Sequence, residues 1–476
     1  MSFAFVLNAE VCTGCKACQA ACKDKNDLPV GVIWRRVIEV SGGGWHPQQN
    51  AWINDVFAYN LSLACNHCVH PKCAGVCPTN AYEVRADGIV LLDGTKCIGC
   101  GYCNWACPYA VPQYNQLSGK MSKCDLCADL IDQGIQPACI SACPMRALEL
   151  VEANEQTEIS KAISLWNVDG SGHPFPLPEF SRTQPHLALI PHPAMLNDLP
   201  KKVSNLEEIR PRKPKSEIPL VIFTLLVQMA VGMIWTEAWI SNVIFAQNQS
   251  GPSLLKMIPT LTVGLMLAIA TLISFLHLGT RSNAWRAISN LKKSALSREI
   301  LNLGLLGLFW LASILFRQFD FRLVLSLLGF TLLYNMANIY RLRSMPSWNS
   351  WRTFAAFLSS ALVLGIFFQI LLVTTFSALT GQILPSAFFD WWFVLILAVL
   401  TGSLILNLFN PTQNKSKNRI RTGLLLFLIL VLVAMNLWIR QGVILLIISL
   451  LIEFGLLVEE VLGRWLFYEE LKYRRL

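Results

Sequence analysis

Charged residues are sparse in this chain of 476 residues: Asp, Glu, Lys and Arg make up 14% of it, against 54% hydrophobic residues. Those averages fit a membrane protein better than the three soluble domains that length alone suggests. Histidine is scarcer still in the second half, where His277 is the single one between residues 201 and 476. A b haem held by two histidines is therefore excluded from that half. Cysteine is absent after Cys143, so thiolate chemistry is confined to the residues before it. No block of like charge occurs either. The net charge of +9 arises from 26 Lys and Arg against 12 Asp and Glu in residues 201–476, scattered over short connections, whereas residues 1–200 hold 13 against 18. No nucleic-acid partner is expected from that scatter. The opening MSFAFVLNAEVC has no basic leader, no long apolar run and no twin arginine. The first domain is expected to stay in the cytoplasm unless a partner carries it across.

What is present falls into two unlike parts. Residues 1–197 are rich in Cys, Gly and short polar turns, with strand-like stretches at 34–40 and 88–92, and long helices do not fit there. Their end is dense in proline, as HPFPLPEFSRTQPHLALIPHP, and IRPRKPKSEIP follows. This reads as an extended wrap and then a linker at 198–217. From Ile218 onward come apolar runs near 218–241, 258–279, 299–317, 321–341, 353–375, 388–409, 420–439 and 442–462, each close to the ~20 residues that span a bilayer as a helix. Lys and Arg alternate between rich and poor connections: Arg210, Arg212, Lys213 and Lys215, then Lys256, then Arg281, Arg286, Lys292, Lys293 and Arg298. An even number of spans with both ends on the positive side fits the pattern, and that side should be the cytoplasm.

The sixteen cysteines form four quartets. Cys12, Cys15, Cys18 and Cys22 follow C-x2-C-x2-C-x3-C, and Cys97, Cys100, Cys103 and Cys107 repeat it. Cys65, Cys68, Cys73 and Cys77, and Cys124, Cys127, Cys139 and Cys143, keep the C-x2-C opening and the C-x3-C close around a longer gap. This is ferredoxin spacing, in which three thiolates of one quartet wrap a four-iron cluster and the fourth reaches to another. Disulfides would need an oxidising compartment, and zinc knuckles would leave half of each quartet unexplained. Four quartets imply four 4Fe-4S clusters in two pairs. Spacing alone permits adjacent quartets to pair, or the first with the fourth and the second with the third.

CTGCKACQAACKD, CNHCVHPKCAGVCP, CIGCGYCNWACPY and CDLCADLIDQGIQPACISACP resemble the four-cluster electron-transfer subunit of the dimethyl sulfoxide reductase family of molybdenum enzymes. The resemblance implies a double ferredoxin-like α+β domain over 1–197 with crossed ligand sets. Cys12, Cys15 and Cys18 would share a cluster with Cys143; Cys65, Cys68 and Cys73 with Cys107; Cys97, Cys100 and Cys103 with Cys77; and Cys124, Cys127 and Cys139 with Cys22. Similarly, HLGTRSNAWRAISNLKKSALSREI resembles the eight-span membrane anchor of that family, implying an all-α transmembrane bundle over 218–476.

Residues and resemblance meet at His277 and Glu299, which flank the second connection. A lipid-soluble quinol needs proton-accepting groups at the membrane edge, whereas Glu299 could also be a helix-start carboxylate behind an N-cap at Ser297. The resemblance assigns both residues to menaquinol binding. The expected protein is thus an anchor and electron-transfer subunit that oxidises menaquinol near His277 and Glu299. It would feed a separate molybdopterin subunit, from the inner membrane, with its clusters in the cytoplasm and without haem. The nearest cluster to the quinol is expected to be that of Cys22, Cys124, Cys127 and Cys139. A structural anchor fed by a soluble donor, or reverse flow into the quinone pool, are the rival readings. Glu453 could serve a proton path or an internal partner, and Asn335 and Asn338 read as interhelical glue. Reporter fusions after Pro200 and at the C-terminus should both report the cytoplasm, and one at 375–388, which holds no Lys or Arg, the opposite side. A cytoplasmic report from 375–388 would overturn the charge reading.

Overall fold

The computed structural model describes residues 2–49, 51–153, 177–196, 203–206, 218–244, 253–380, 386–408, 415–438 and 443–469. They form two compact units. One is Met1–Pro214 with Leu278–Ser294 and Arg475–Leu476; the other is Lys215–His277 with Ala295–Arg474.

The first unit is built on two small sheets. Ser2–Asn8 pairs antiparallel with Leu148–Ala153 and parallel with Leu187–Ile190, so the chain start is clamped between the end of the fourth cysteine quartet and the segment beyond it. Phe5, Leu7, Leu148, Leu187 and Leu189 from these strands are buried, the inward half of a period-two pattern. Arg36–Gly42 lies between Phe57–Leu63 and Val203–Leu206, antiparallel to both. The strand expected at 34–40 begins and ends two residues later, and the one expected at 88–92 is Val90–Leu92, the second arm of a hairpin with Tyr82–Val84. Of the linker expected at 198–217, Val203–Leu206 is this strand, and the rest lies outside the described residues.

Residues 278–294 sit in the first unit, although sequence reading leaves them with the membrane half. Backbone N–H groups of Gly279 and Thr280 donate to the Ile98 carbonyl at 3.0 and 3.1 Å. Asn283 donates to the carbonyls of Thr95 (2.7 Å) and Cys97 (3.2 Å), Asn290 to that of Cys77 (2.9 Å), and the Ser294 hydroxyl to that of Val76 (2.8 Å). The turn around each cysteine leaves carbonyls without a ladder partner, and short polar side chains satisfy them, each bond contributing about 1 kcal/mol net. Gly279 is required for the approach, because a Cβ there would stand 1.7 Å from the Gly119 carbonyl oxygen.

Among the described residues the second unit holds eight helices of 19 to 30 residues: Ile218–Ile244, Ser253–Leu276, Ala295–Leu315, Arg322–Tyr340, Trp351–Thr380, Ser386–Leu408, Lys415–Trp438 and Val443–Glu469. Five of them are long and apolar enough over their described residues to cross a membrane: those starting at 218, 253, 295, 322 and 351. Their outward faces are apolar, with Leu265, Leu272, Leu308 and Leu323 each at least 60% exposed, as a lipid-facing surface requires. Ile218–Ile244 and Trp351–Thr380 approach backbone to backbone at Gly232 and Gly365. A Cβ on Gly232 would stand 1.9 Å from the Ala361 carbonyl oxygen, and one on Gly365 2.3 Å from the Gly232 carbonyl carbon. Small residues allow this where apolar transfer gives no drive for helices to associate. Gly365→Leu should therefore destabilise the bundle by about 3 kcal/mol in a thermal scan in detergent. Gly304→Leu, where a Cβ meets nothing within 4 Å, should melt as the parent does, and equal melting of both variants would refute the packing account.

Candidate functional site

Each C-x2-C opening folds the same way. The residue before the second cysteine has positive φ in all four: Gly14 (69°), His67 (42°), Gly99 (69°) and Leu126 (63°). Glycine adopts this freely, but His67 and Leu126 are held in it against side-chain sterics. The C-x3-C closures repeat a second turn, with positive φ three residues after the last cysteine at Asn80, Ala110 and Arg146, each following a Cys-Pro pair. These turns aim backbone N–H groups at sulfur: Ala81 at Cys77, Gly99 and Met121 at Cys97, and Leu126 at Cys124, all at 3.4 Å.

The thiols meet in crossed sets. One cavity is lined by Cys12, Cys15, Cys18 and Cys143, and another by Cys65, Cys68, Cys73 and Cys107. Cys97, Cys100 and Cys103 each lie within electrostatic reach of Cys77. Cys22 is likewise within reach of Cys127 and Cys139, and Cys124 of Cys65 as well as Cys22 and Cys139. Thiolate donors around a cavity, with N–H groups turned to the sulfurs, fit an iron–sulfur cluster. Burial raises the Cys22 thiol to about 11 and the Cys100 thiol to about 12, so their thiolates need nearby positive charge, which iron supplies.

Three buried side chains stand between these sets, and sequence reading missed them. Arg35, 1% exposed, lies 4.5 Å over the Phe5 ring, donates to Ser62, and is within electrostatic reach of Cys18, Cys22, Cys124 and Cys139. Lys123, 3% exposed, donates to the carbonyls of Val90 and Cys124. His67 accepts the Val90 N–H at Nδ1, so its proton is on Nε2, 4.0 Å from the Cys124 sulfur. Burial, with Lys123 close by, keeps this imidazole neutral by lowering its pKa well below the ordinary value. No motif marks these residues, since their role follows from burial beside thiols distant in sequence.

In the second unit, His277 directly follows the last residue of Ser253–Leu276, and Glu299 is the fifth residue of Ala295–Leu315. That helix starts two residues before Ser297, which is therefore a fully buried helical residue and not the expected N-cap. Glu299, 5% exposed, lies beyond the first turn, where a helix-start role no longer accounts for a carboxylate. It is within electrostatic reach of Tyr340, whose hydroxyl meets that of Tyr468 at 2.5 Å. Trp348, Phe357 and Phe467 enclose this tyrosine pair. The pair was not foreseen, because its members lie 128 residues apart. Glu453 is 4% exposed, and its carboxylate oxygens have no hydrogen-bond partner among the described residues. Asn335 is buried, whereas Asn338 accepts from Arg341 at 3.4 Å.

Comparison with known proteins agrees with both halves. Residues 56–153 match the 4Fe-4S dicluster domain family, and residues 213–469 match the family described as DMSO reductase anchor subunit (DmsC). Over 153 residues, 32% of this chain and 75% of the relative, the sequence is 47% identical to the B subunit of anaerobic dimethyl sulfoxide reductase of Escherichia coli K12. Over 190 residues, 40% of this chain and 89% of the relative, it is 42% identical to YnfG of the same organism, a probable anaerobic dimethyl sulfoxide reductase subunit. A formate dehydrogenase iron-sulfur subunit of Wolinella succinogenes is 38% identical over 159 residues, 29% of this chain and 74% of that subunit. With a cysteine unit of this geometry and an anchor match over more than half its length, the chain belongs to the dimethyl sulfoxide reductase family, joining an iron–sulfur electron-transfer region and a membrane anchor in one polypeptide.

Proposed function

We propose that this chain oxidises menaquinol at the membrane, beside His277 and Glu299, and relays the electrons through four 4Fe-4S clusters to a separate molybdopterin subunit that reduces the terminal acceptor. The crossed grouping of sixteen thiols carries the electron-transfer part of this reading. When bound, such clusters supply one-electron carriers; the chain's own part is to fix their spacing and charge. Arg35 and Lys123 offset negative charge at the sulfurs, and the His67 Nε2–H faces Cys124.

For the quinol, oxidation releases two electrons and two protons. Glu299 is a buried carboxylate able to take one of those protons, and His277, at the end of the preceding helix, can hold a quinol hydroxyl. Electron entry is better assigned to the cluster of Cys77, Cys97, Cys100 and Cys103 than to that of Cys22, Cys124, Cys127 and Cys139. The reason is chain continuity: His277 is two residues from Gly279, whose N–H is bonded to Ile98 between Cys97 and Cys100.

Glu299→Gln keeps the helix and the volume. It should lower quinol-dependent cluster reduction by about 100-fold while an artificial dye still drives the complex; a rate near that of the parent would remove Glu299 from the reaction. Cluster assignment has its own test. Cys77→Ser and Cys100→Ser should perturb the same EPR signal, whereas Cys73→Ser, four residues from Cys77, should perturb the one lost with Cys107→Ser. If Cys73 and Cys77 instead share a signal, the crossed arrangement is wrong.

A further inference from the structure

The helices Trp351–Thr380, Ser386–Leu408, Lys415–Trp438 and Val443–Glu469 enclose, at one end, a cavity of about 820 Å³ with its mouth included. Arg352, Arg421, Arg464 and Glu460 line it, with the hydroxyls of Ser359 and Ser360. In helices that otherwise bury apolar side chains, so many charges are costly unless something neutralises them. Arg464 and Glu460 are 5% and 3% exposed.

Their protein partners leave donors over. Arg464 donates to Gln228 at 2.9 Å, reaches the Ser360 hydroxyl at 3.5 Å and lies 3.8 Å over the Phe357 ring. Its Nε–H, however, is buried with no hydrogen-bond partner among the described residues, as is the Ser359 hydroxyl. Ser360 donates to Glu460 at 2.7 Å, and Arg421 is paired with Glu459. The lining itself is thus net positive, three guanidinium groups against the one carboxylate of Glu460, with spare donors on Arg464 and Ser359. A monoanion bearing several acceptor oxygens would complement both the charge and the hydrogen bonds. The mouth is formed by Pro346 and Ser347, exposed residues just before the Trp351 helix, and spanning helices end at the level of lipid headgroups. Neither Glu299 nor Tyr340 lines the cavity; Phe357 and Phe467 do, and both also pack on Tyr340. Glu299 is thus not a wall of this cavity, although Tyr340, within electrostatic reach of both Glu299 and Arg464, borders it through Phe357 and Phe467.

We propose that this cavity binds the phosphodiester group of an anionic membrane phospholipid, held by Arg352, Arg464 and Ser359. Arg352 is the outermost of the three, at the second residue of its helix. The proposal does not depend on quinol oxidation, because it rests on charge and unfilled donors in a different cavity.

Native mass spectrometry of the intact complex, stripped of lipid and titrated with phosphatidylglycerol, phosphatidylcholine or inorganic phosphate, tests it. One phosphatidylglycerol per chain should be retained in preference to phosphatidylcholine. Arg352→Gln combined with Ser359→Ala should weaken that retention about ten-fold, the loss expected for one charge-assisted hydrogen bond. Arg352→Lys should recover part of it, and a melting temperature in detergent equal to the parent's would establish that the helix bundle of each variant is folded. Inorganic phosphate that displaces the lipid in the parent, but has no effect in the double variant, would support the anion site with a soluble source. Phosphatidylglycerol retention equal in the parent and the double variant would overturn the proposal. So would retention of menaquinone in place of lipid, lost in the same variant.

Discussion

Thiols from loops far apart in sequence are held side by side, and the first unit is organised around that constraint. Buried sulfur is tolerable as a thiol and expensive as a thiolate. The unit therefore supplies turn N–H groups at Cys77, Cys97 and Cys124, and the buried cations Arg35 and Lys123 near Cys18, Cys22, Cys73, Cys124 and Cys139, which favour the charged form. The Cys-Pro turns direct the last cysteine of a quartet away from its first three, toward the partner quartet. Sheet pairing of the chain start with Leu148–Ala153 then holds the first and fourth quartets together.

The same turns explain why residues 278–294 belong with the cysteines. Loops that curl around a cluster expose carbonyls on their outer side, and Asn283, Asn290 and Ser294 fill those positions beside Cys97, Cys77 and Val76. The chain thus passes between the two units at four places, after Pro214, after His277, after Ser294 and after Arg474. Two of those passages bracket the segment bonded to the third quartet's loop.

Features fixed by local spacing were legible in the sequence. The quartets, the apolar runs and the start of the membrane half at Ile218 each follow from residues within about 20 positions of one another. Features fixed by tertiary context were not. Leu126 and His67 give no sign of positive φ, because the cysteine turn imposes it. Ser297 reads as an N-cap from its neighbours, yet the helix begins at Ala295, immediately after Ser294 donates its hydroxyl to Val76. Arg35, Lys123 and the Tyr340–Tyr468 pair look like ordinary residues until the fold buries them.

Buried charge is handled differently in the two units, and the difference follows from what each must hold. In the first, Lys123 donates to the carbonyls of Val90 and Cys124, and Arg35 gives Nη1 to Ser62 while its Nε and Nη2 have no hydrogen-bond partner among the described residues, so both act on the thiols as fixed fields over a distance. That arrangement suits sites whose charge must change by one electron without side chains moving, because a field already in place needs no reorganisation. In the second, Arg421 is matched directly with Glu459, while Arg464 keeps a donor unfilled beside a cavity. A paired ion in a bundle mainly fixes helix register. An incompletely paired one at the mouth of a cavity stays costly until a ligand arrives, and that residual cost gives the ligand its affinity.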